Sequence, residues 1–339
     1  KQAAGILEKV LRAHPSHPGA LHYLIHNYDD PDHARLALPA ARAYAKVAAQ
    51  SSHALHMPAH IFLQLGMWDE AAASDEASFR ASEVWVARKG LGIGMRDYHS
   101  LSWLLYESLQ RGRYQRAREA LELMRPAVAE TGATRFKALL SDMRARYVVE
   151  TRSYQDLAAA RDFDTSSELF AIGVSAARRG DARVAEMARA ELKRRASPAP
   201  AGGGPRAPLD VAVMEKELSA LVATVAGDGV RAVEALREAV ALERQLPPPL
   251  GPPRPIQPAS ELAGELLLEL GRPREAVAEL ERALSAWPNR SAILLGLTRA
   301  HAALGERPAA RRYAQALLRN WKDADPGLPE LSEVRALAR

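Results

Sequence analysis

The sequence predicts an all-α fold, a right-handed solenoid of antiparallel helix pairs. Three observations lead there. The 339 residues include 66 alanines against only 5 Phe, 9 Tyr and 5 Trp, and alanine has the highest helix propensity while letting helices pack closely. Glycines recur ahead of Ala-rich amphipathic stretches, and near the C-terminus they recur with a period of 34 residues, from Gly271 to Gly305. Hydrophobic residues make up 47% of the chain, enough for a continuous core in a repeat array.

Along the chain, His14 and His17 flank Pro15 in an inter-helix turn, where structural roles are expected for both. HPGALHYLIHN reads as a helix. SSHALHMPAHIFLQLG reads as another, leading to Gly66. If that helix begins near Ser52, Pro58 lies beyond its first turn and bends it; if it begins at Pro58, the proline is an ordinary first-turn residue. LQLGMWDEAAA, LQRGRYQRAREAL, ARRGDARVAEMA and VAGDGVRAVEAL place Gly66, Gly112, Gly180 and Gly227 in tight turns between paired helices. The 46 residues from Gly66 to Gly112 require a lengthened helix or loop.

Two stretches interrupt the array. SPAPAGGGPRAP (197–208) is expected to be a flexible surface loop, and PPPLGPPRPIQP (247–258), with seven prolines, an extended semi-rigid spacer. A soft boundary at the first divides a histidine-rich unit, 1–196, from a C-terminal unit, 209–339, with one continuous solenoid as the alternative. From Glu261 onward, Gly264, Leu267, Gly271, Ala276, Leu280, Ala283 and Pro288 stand at spacings 3, 4, 5, 4, 3 and 5. This register, clearest over 260–319, resembles the tetratricopeptide repeat, in which small residues bring two helices together, a glycine turns the chain and a proline closes the second helix.

Composition narrows the chemistry. No cysteine is present, which excludes disulfides, thiolate nucleophiles and cysteine-ligated metals. The formal charge of +5 is spread over 46 basic and 41 acidic residues without a basic stripe, so no nucleic-acid partner is expected. No apolar run reaches the 18 residues of a transmembrane segment. The chain opens at Lys1 without Met, as a processed or truncated protein would; a cytoplasmic setting and, after loss of a leader, a periplasmic one both fit. GLGIGM (90–95) lacks the GxGxxG spacing and the P-loop lysine, so no nucleotide is expected. There is neither a GxSxG elbow nor an HExxH motif.

Nine of the ten histidines precede residue 100. His22 and His26 are i,i+4 on one predicted helix, and His56 and His60 on the next, with His53 one turn before His56. Side chains four apart on a helix point the same way with Cβ atoms about 6 Å apart, which suits two imidazoles on one ion. Two such helices face to face would supply four ligands, His22, His26, His56 and His60, with Asp29, Asp30, His33 or His53 as a fifth ligand or an orienting partner. Imidazole and carboxylate donors suit zinc, iron, nickel, copper or manganese. The alternatives are a metal-free polar pocket and plain structural roles in caps and inter-repeat seams. His99 is an outlying candidate.

The segments GALHYLIHNYDDPDHA and HALHMPAHIFLQLGMWDEA resemble the signature of a family of uncharacterised bacterial tetratricopeptide-repeat proteins, related to the eukaryotic tetratricopeptide repeat protein 38 group. The matching positions are His22, Tyr23, Ile25 and His26, then His56, Met57, Pro58, His60, Ile61, Gly66 and Trp68. They span about residues 19–71. The resemblance implies the fold and the place of a site, and further repeats ahead of Lys1; it implies no reaction. The leading functional expectation is a helical scaffold that binds a peptide or protein on its concave face, with a polar histidine-lined pocket in the first part. The second is a metal-dependent enzyme or metal sensor built on the histidine cluster.

Overall fold

The computed structural model describes residues 2–157, 165–197 and 208–339. Seventeen α-helices lie among the described residues, with no strand. The first eight are α1 (Gln2–Ala13), α2 (Pro18–Asn27), α3 (Ala34–Val47), α4 (Ser52–Gln64), α5 (Trp68–Lys89), α6 (Tyr98–Gln110), α7 (Tyr114–Thr131) and α8 (Thr134–Thr151). After a short 3-10 turn come α9 (Ser166–Arg178), α10 (Ala182–Ala196), α11 (Leu209–Val225), α12 (Gly229–Glu243) and α13 (Ala259–Glu269). The chain ends with α14 (Pro273–Ala286), α15 (Ser291–Ala303), α16 (Arg307–Asn320) and α17 (Leu331–Leu337). Successive helices pack against each other, and alternate ones also touch: α2 on α4, α6 on α8, α9 on α11, and α11, α13, α15 and α17 in series. The result is an all-α helical-repeat solenoid. Among the described residues no helix is long and apolar enough to cross a membrane.

The local causes are those the repeat register predicts. Gly66, Gly112, Gly180, Gly227, Gly271 and Gly305 all occupy left-handed backbone, with φ between +63° and +79°, a region that costs other L-residues about 1–2 kcal/mol. After Gly271 the chain re-enters a helix at once through Pro273 in the first turn. Gly264 has a different task. A Cβ there would lie 2.3 Å from Leu280 Cγ, so the missing side chain is what lets α13 meet the Ala276, Leu280 and Ala283 stripe of α14.

The C-terminal pairs fold back onto the N-terminal ones. Trp68 Nε1 donates to the Asn289 carbonyl over 2.9 Å, Asn289 Nδ2 donates to the Gly66 carbonyl over 3.3 Å, and Asp325 N donates to the Gly112 carbonyl over 3.0 Å. Ser291 N donates to Gln110 Oε1 over 2.9 Å. At the centre of this seam Arg290 is 1% exposed. Its guanidinium donates to Glu261 (2.5 Å), Glu150 (2.8 Å) and the Tyr106 hydroxyl (3.2 Å). Ahead of that seam, α9, α10 and α11 share one hydrophobic cluster across the stretch where a boundary was placed. Residues 198–207, most of the expected surface loop, lie outside the described residues.

The proline-rich stretch 247–258 is not a spacer. Pro253, Pro255, Ile256, Gln257 and Pro258 are buried, Arg146 Nη2 donates to the Pro253 carbonyl (2.7 Å), and Gln64 Nε2 donates to the Pro249 carbonyl (2.6 Å). Gly251 lies so close to the Trp103 ring that a Cβ would stand 2.5 Å from it. Proline lacks an N–H to satisfy, so such a segment can enter a packed groove provided its carbonyls find donors. This strap lines one wall of a cavity of about 960 Å³ whose other walls include His99, Trp103, Asp142 and Arg146.

Candidate metal centre

Helix α4 begins at Ser52, behind a Ser51 cap whose Oγ accepts from Ala54 N, so Pro58 lies in its interior and the reading that starts the helix at Pro58 does not hold. His53, His56 and His60 therefore stand on one helix at i, i+3 and i+7, one face of it. Helix α2 brings His22 and His26 to one side of that face, and α6 brings His99 to the other. The first turn of α6 is pinned in place: Asp97 caps it through Ser100 N (3.1 Å) and accepts from Ser52 Oγ on α4 (3.1 Å) and Ser78 Oγ on α5 (3.2 Å).

The imidazoles fall into two sets of three, where the sequence had suggested one set of four. In the first set, His56 Nε2 lies 3.1 Å from His60 Nε2 and 3.1 Å from His99 Nε2. These three residues can each offer a nitrogen with all three atoms within 4.8 Å of one another. In the second set, His22 Nε2 lies 3.1 Å from His26 Nε2 and 3.1 Å from His53 Nε2. The sets adjoin, with the rings of His26 and His60 5.8 Å apart between centroids.

Two of the three far nitrogens in the first set are held by carboxylates. His60 Nδ1 donates to Asp29 Oδ2 over 2.7 Å, and Asp29 Oδ1 accepts from Gln64 Nε2 over 3.1 Å. His56 Nδ1 donates to Asp75 Oδ1 over 2.5 Å, in a fully buried setting. A proton held on Nδ1 leaves the lone pair on Nε2, the arrangement a metal-binding histidine needs. Behind Asp75 stands Glu107, also fully buried. Burial pushes both carboxyls well above their ordinary range, and the Asp75 charge adds to the push on Glu107. Neighbouring buried carboxyls resist ionising together. Burial lowers the His56 and His99 imidazoles to about 4, with the neighbouring His56 adding to the effect at His99. Burial, and then neighbouring imidazoles, also lower His22, His26 and His53. Trp103 closes the floor, its ring 4.8 Å from that of His56 and 4.5 Å from that of His60.

The other candidates stand apart. Asp30 accepts from His33 Nδ1 over 2.8 Å, and the two form a local pair outside both sets. His17 caps α2 by accepting from Ala20 N, the structural role expected of it. Asp75, Asp97 and Glu107 were not anticipated. Asp75 had a signal: on α5 the buried stripe Trp68, Ala71, Ala72 and Phe79 has Asp75 at its centre, and a charge on the core face of a helix calls for a partner.

Fold and site together define an all-α repeat protein with imidazoles collected on its first helix pairs. Residues 267–327 match the family model described as Tetratricopeptide repeat. No curated protein matches the chain. Among solved structures, a tetratricopeptide repeat protein from Parabacteroides merdae ATCC 43184 is 14% identical, with a TM-score of 0.42 over 85% of this chain and 98% of that one. The APC/C hetero-tetramer Cut9-Hcn1 is 13% identical, with a TM-score of 0.44 over 98% of this chain and 72% of that one. Naa15/Naa10 bound to HypK-THB is 13% identical, with a TM-score of 0.31 over 98% and 62%.

Proposed function

We propose that the chain is a metal-binding helical-repeat protein in which His56, His60 and His99 hold a divalent transition metal at the edge of the interior cavity. The observation that carries this is the environment of His56 Nε2. It faces two other Nε2 atoms at 3.1 Å, while the Nδ1 atoms of His56 and His60 are engaged by Asp75 and Asp29. An imidazole nitrogen has one in-plane direction for a proton or a lone pair, so it cannot satisfy two such neighbours by hydrogen bonding. A cation on the shared lone pairs removes the conflict. Imidazole donors favour zinc, copper, nickel or iron, with manganese a weaker fit. Three protein ligands would leave a further position for water or a bound molecule, as in catalytic and sensing sites. Metal analysis of protein purified without a histidine tag tests this. Stripping with EDTA should lower the melting temperature at pH about 7.5 by linkage, and that effect should vanish in the His26→Ala, His60→Ala double variant and persist in the His14→Ala, His17→Ala one. Untagged protein that carries no transition metal and takes up none would overturn the proposal.

A second reading, a scaffold that holds a peptide or protein partner, is supported by the strap. The groove grips an extended proline-rich segment through its carbonyls, the way grooves recognise such peptides from other chains. If an external partner uses the same grip, a chain whose residues 247–258 are replaced by a Gly/Ser linker of equal length should bind a labelled PPPLGPPRPIQP peptide. The unaltered chain should not.

A further inference from the structure

The geometry points to a second metal site, formed by His22, His26 and His53 beside the first, so that the six imidazoles make a binuclear centre. The inference rests on the proposed function and extends it.

The two sets are built alike. Each takes an i,i+4 pair from one helix and a single histidine from the next helix of the same layer: His22 and His26 on α2 with His53 on α4, then His56 and His60 on α4 with His99 on α6. Each has a central imidazole whose Nε2 faces two others at 3.1 Å, His22 in one and His56 in the other. The conflict that calls for a cation at His56 is therefore repeated at His22. Ligand nitrogens each about 2 Å from one ion in tetrahedral array lie about 3.3 Å from one another, close to the 3.1 Å that separates His22 Nε2 from each of its two neighbours; unlike the first set, the three nitrogens do not all lie within 4.8 Å of one another, so His26 and His53 must close on the ion as it binds. Tyr44 stacks on His22, with ring planes 16° apart and centroids at 5.7 Å, and so fixes the plane of the central ring. Helix α4 contributes to both sets, and its i, i+3, i+7 face is the wall they share.

The two sites differ in setting. His26 and His53 are exposed, and no carboxylate among the described residues holds the outer nitrogens of the second set, whereas the first is buried at His56 and backed by Asp75 and Asp29. The second ion should thus be the weaker and the more exchangeable.

The test is a titration of EDTA-stripped, untagged full-length protein with Co(II), followed by visible absorption and by cobalt content after dialysis. Two ions per chain are expected, the second released first by a chelator. The His22→Ala, His53→Ala variant should retain one ion, and a His22→Gln, His53→Gln variant gives the same count should the alanine pair disturb folding by circular dichroism. Saturation at one ion, with neither variant changing it, would refute the second site and leave the proposed function standing. Two ions retained in both variants would also refute it. No uptake at all would remove both proposals together.

Discussion

Asp75 reaches from the core face of α5 to hold His56 Nδ1 at 2.5 Å, and neither side chain is open to solvent. Carboxylates behind metal-binding histidines fix the ring and its tautomer, and their loss typically costs 10–100-fold in metal affinity. Asp75→Asn should accordingly weaken metal binding about 10–100-fold, measured by competition with a chromophoric chelator, while circular dichroism stays that of the parent. An unchanged affinity would reduce Asp75 to a packing role.

Glu217 offers a pH test away from the histidines. It is fully buried on α11 and neither carboxyl oxygen has a hydrogen-bond partner among the described residues. Burial, and then Glu243 and Glu261, push its carboxyl well above the ordinary 4.5. The folded chain keeps this proton to higher pH than the unfolded chain, so stability at this site is present below about pH 4.5 and declines as pH rises toward the folded value. Glu217→Gln, neutral at every pH, should raise the melting temperature at pH 8 by roughly 1–3 °C and flatten its decline from pH 5 to 8. Parallel pH profiles for the two proteins would contradict this.

Turn and contact glycines should respond differently. Nothing lies within 4 Å of a Cβ built at Gly271 or Gly305, so Ala or Leu there should cost only the left-handed backbone strain, about 1–2 kcal/mol. At Gly264 the cost is crowding against Leu280, on the order of 1–3 kcal/mol. Asn should rescue positions 271 and 305, since it tolerates that backbone, and should do nothing for 264. Chemical denaturation of these variants separates the two cases.

Arg290→Met should be among the most damaging single changes, about 3–5 kcal/mol, because it strands Glu261 without its cation inside the seam and takes from Glu150 the nearer of its two, leaving Arg146 at 3.9 Å. Adding Glu261→Gln should recover part of the loss. A double variant no better than the single one would mean that the ion pair is not the source of the effect.

What the sequence revealed followed the range of the interaction involved. The Gly271 and Gly305 turns depend on a few neighbouring residues, and the 34-residue register located both. The i,i+4 relations of His22 with His26 and of His56 with His60 are equally local. Dividing those four between two sets needed His53 and His99 as third members. The second lies 43 residues from its partner His56, and the pinning of α6 by Asp97 that delivers it involves three helices. Asp75 was visible only as a charge in an apolar stripe. The strap was legible as extended chain, but its depth depends on Arg146 and Trp103, more than 100 residues earlier, and no local pattern encodes that distance.

The seam around Arg290 bears on how the chain acquires its structure. A linear array of helix pairs interacts only with nearest neighbours, so it can start anywhere and lengthen stepwise, and its ends can fray independently. Here Trp68 bonds to Asn289 across 221 positions of sequence. Closing so long a loop carries an entropic penalty that grows as its logarithm and is repaid only once both ends are formed. The contact also ties α5 to the turn ahead of α15, so the repeats between them cannot fray independently. A clasped solenoid should therefore form more slowly than an open one of equal length and come apart as a single cooperative body, with the imidazole-bearing helices protected by repeats that are remote from them in the chain.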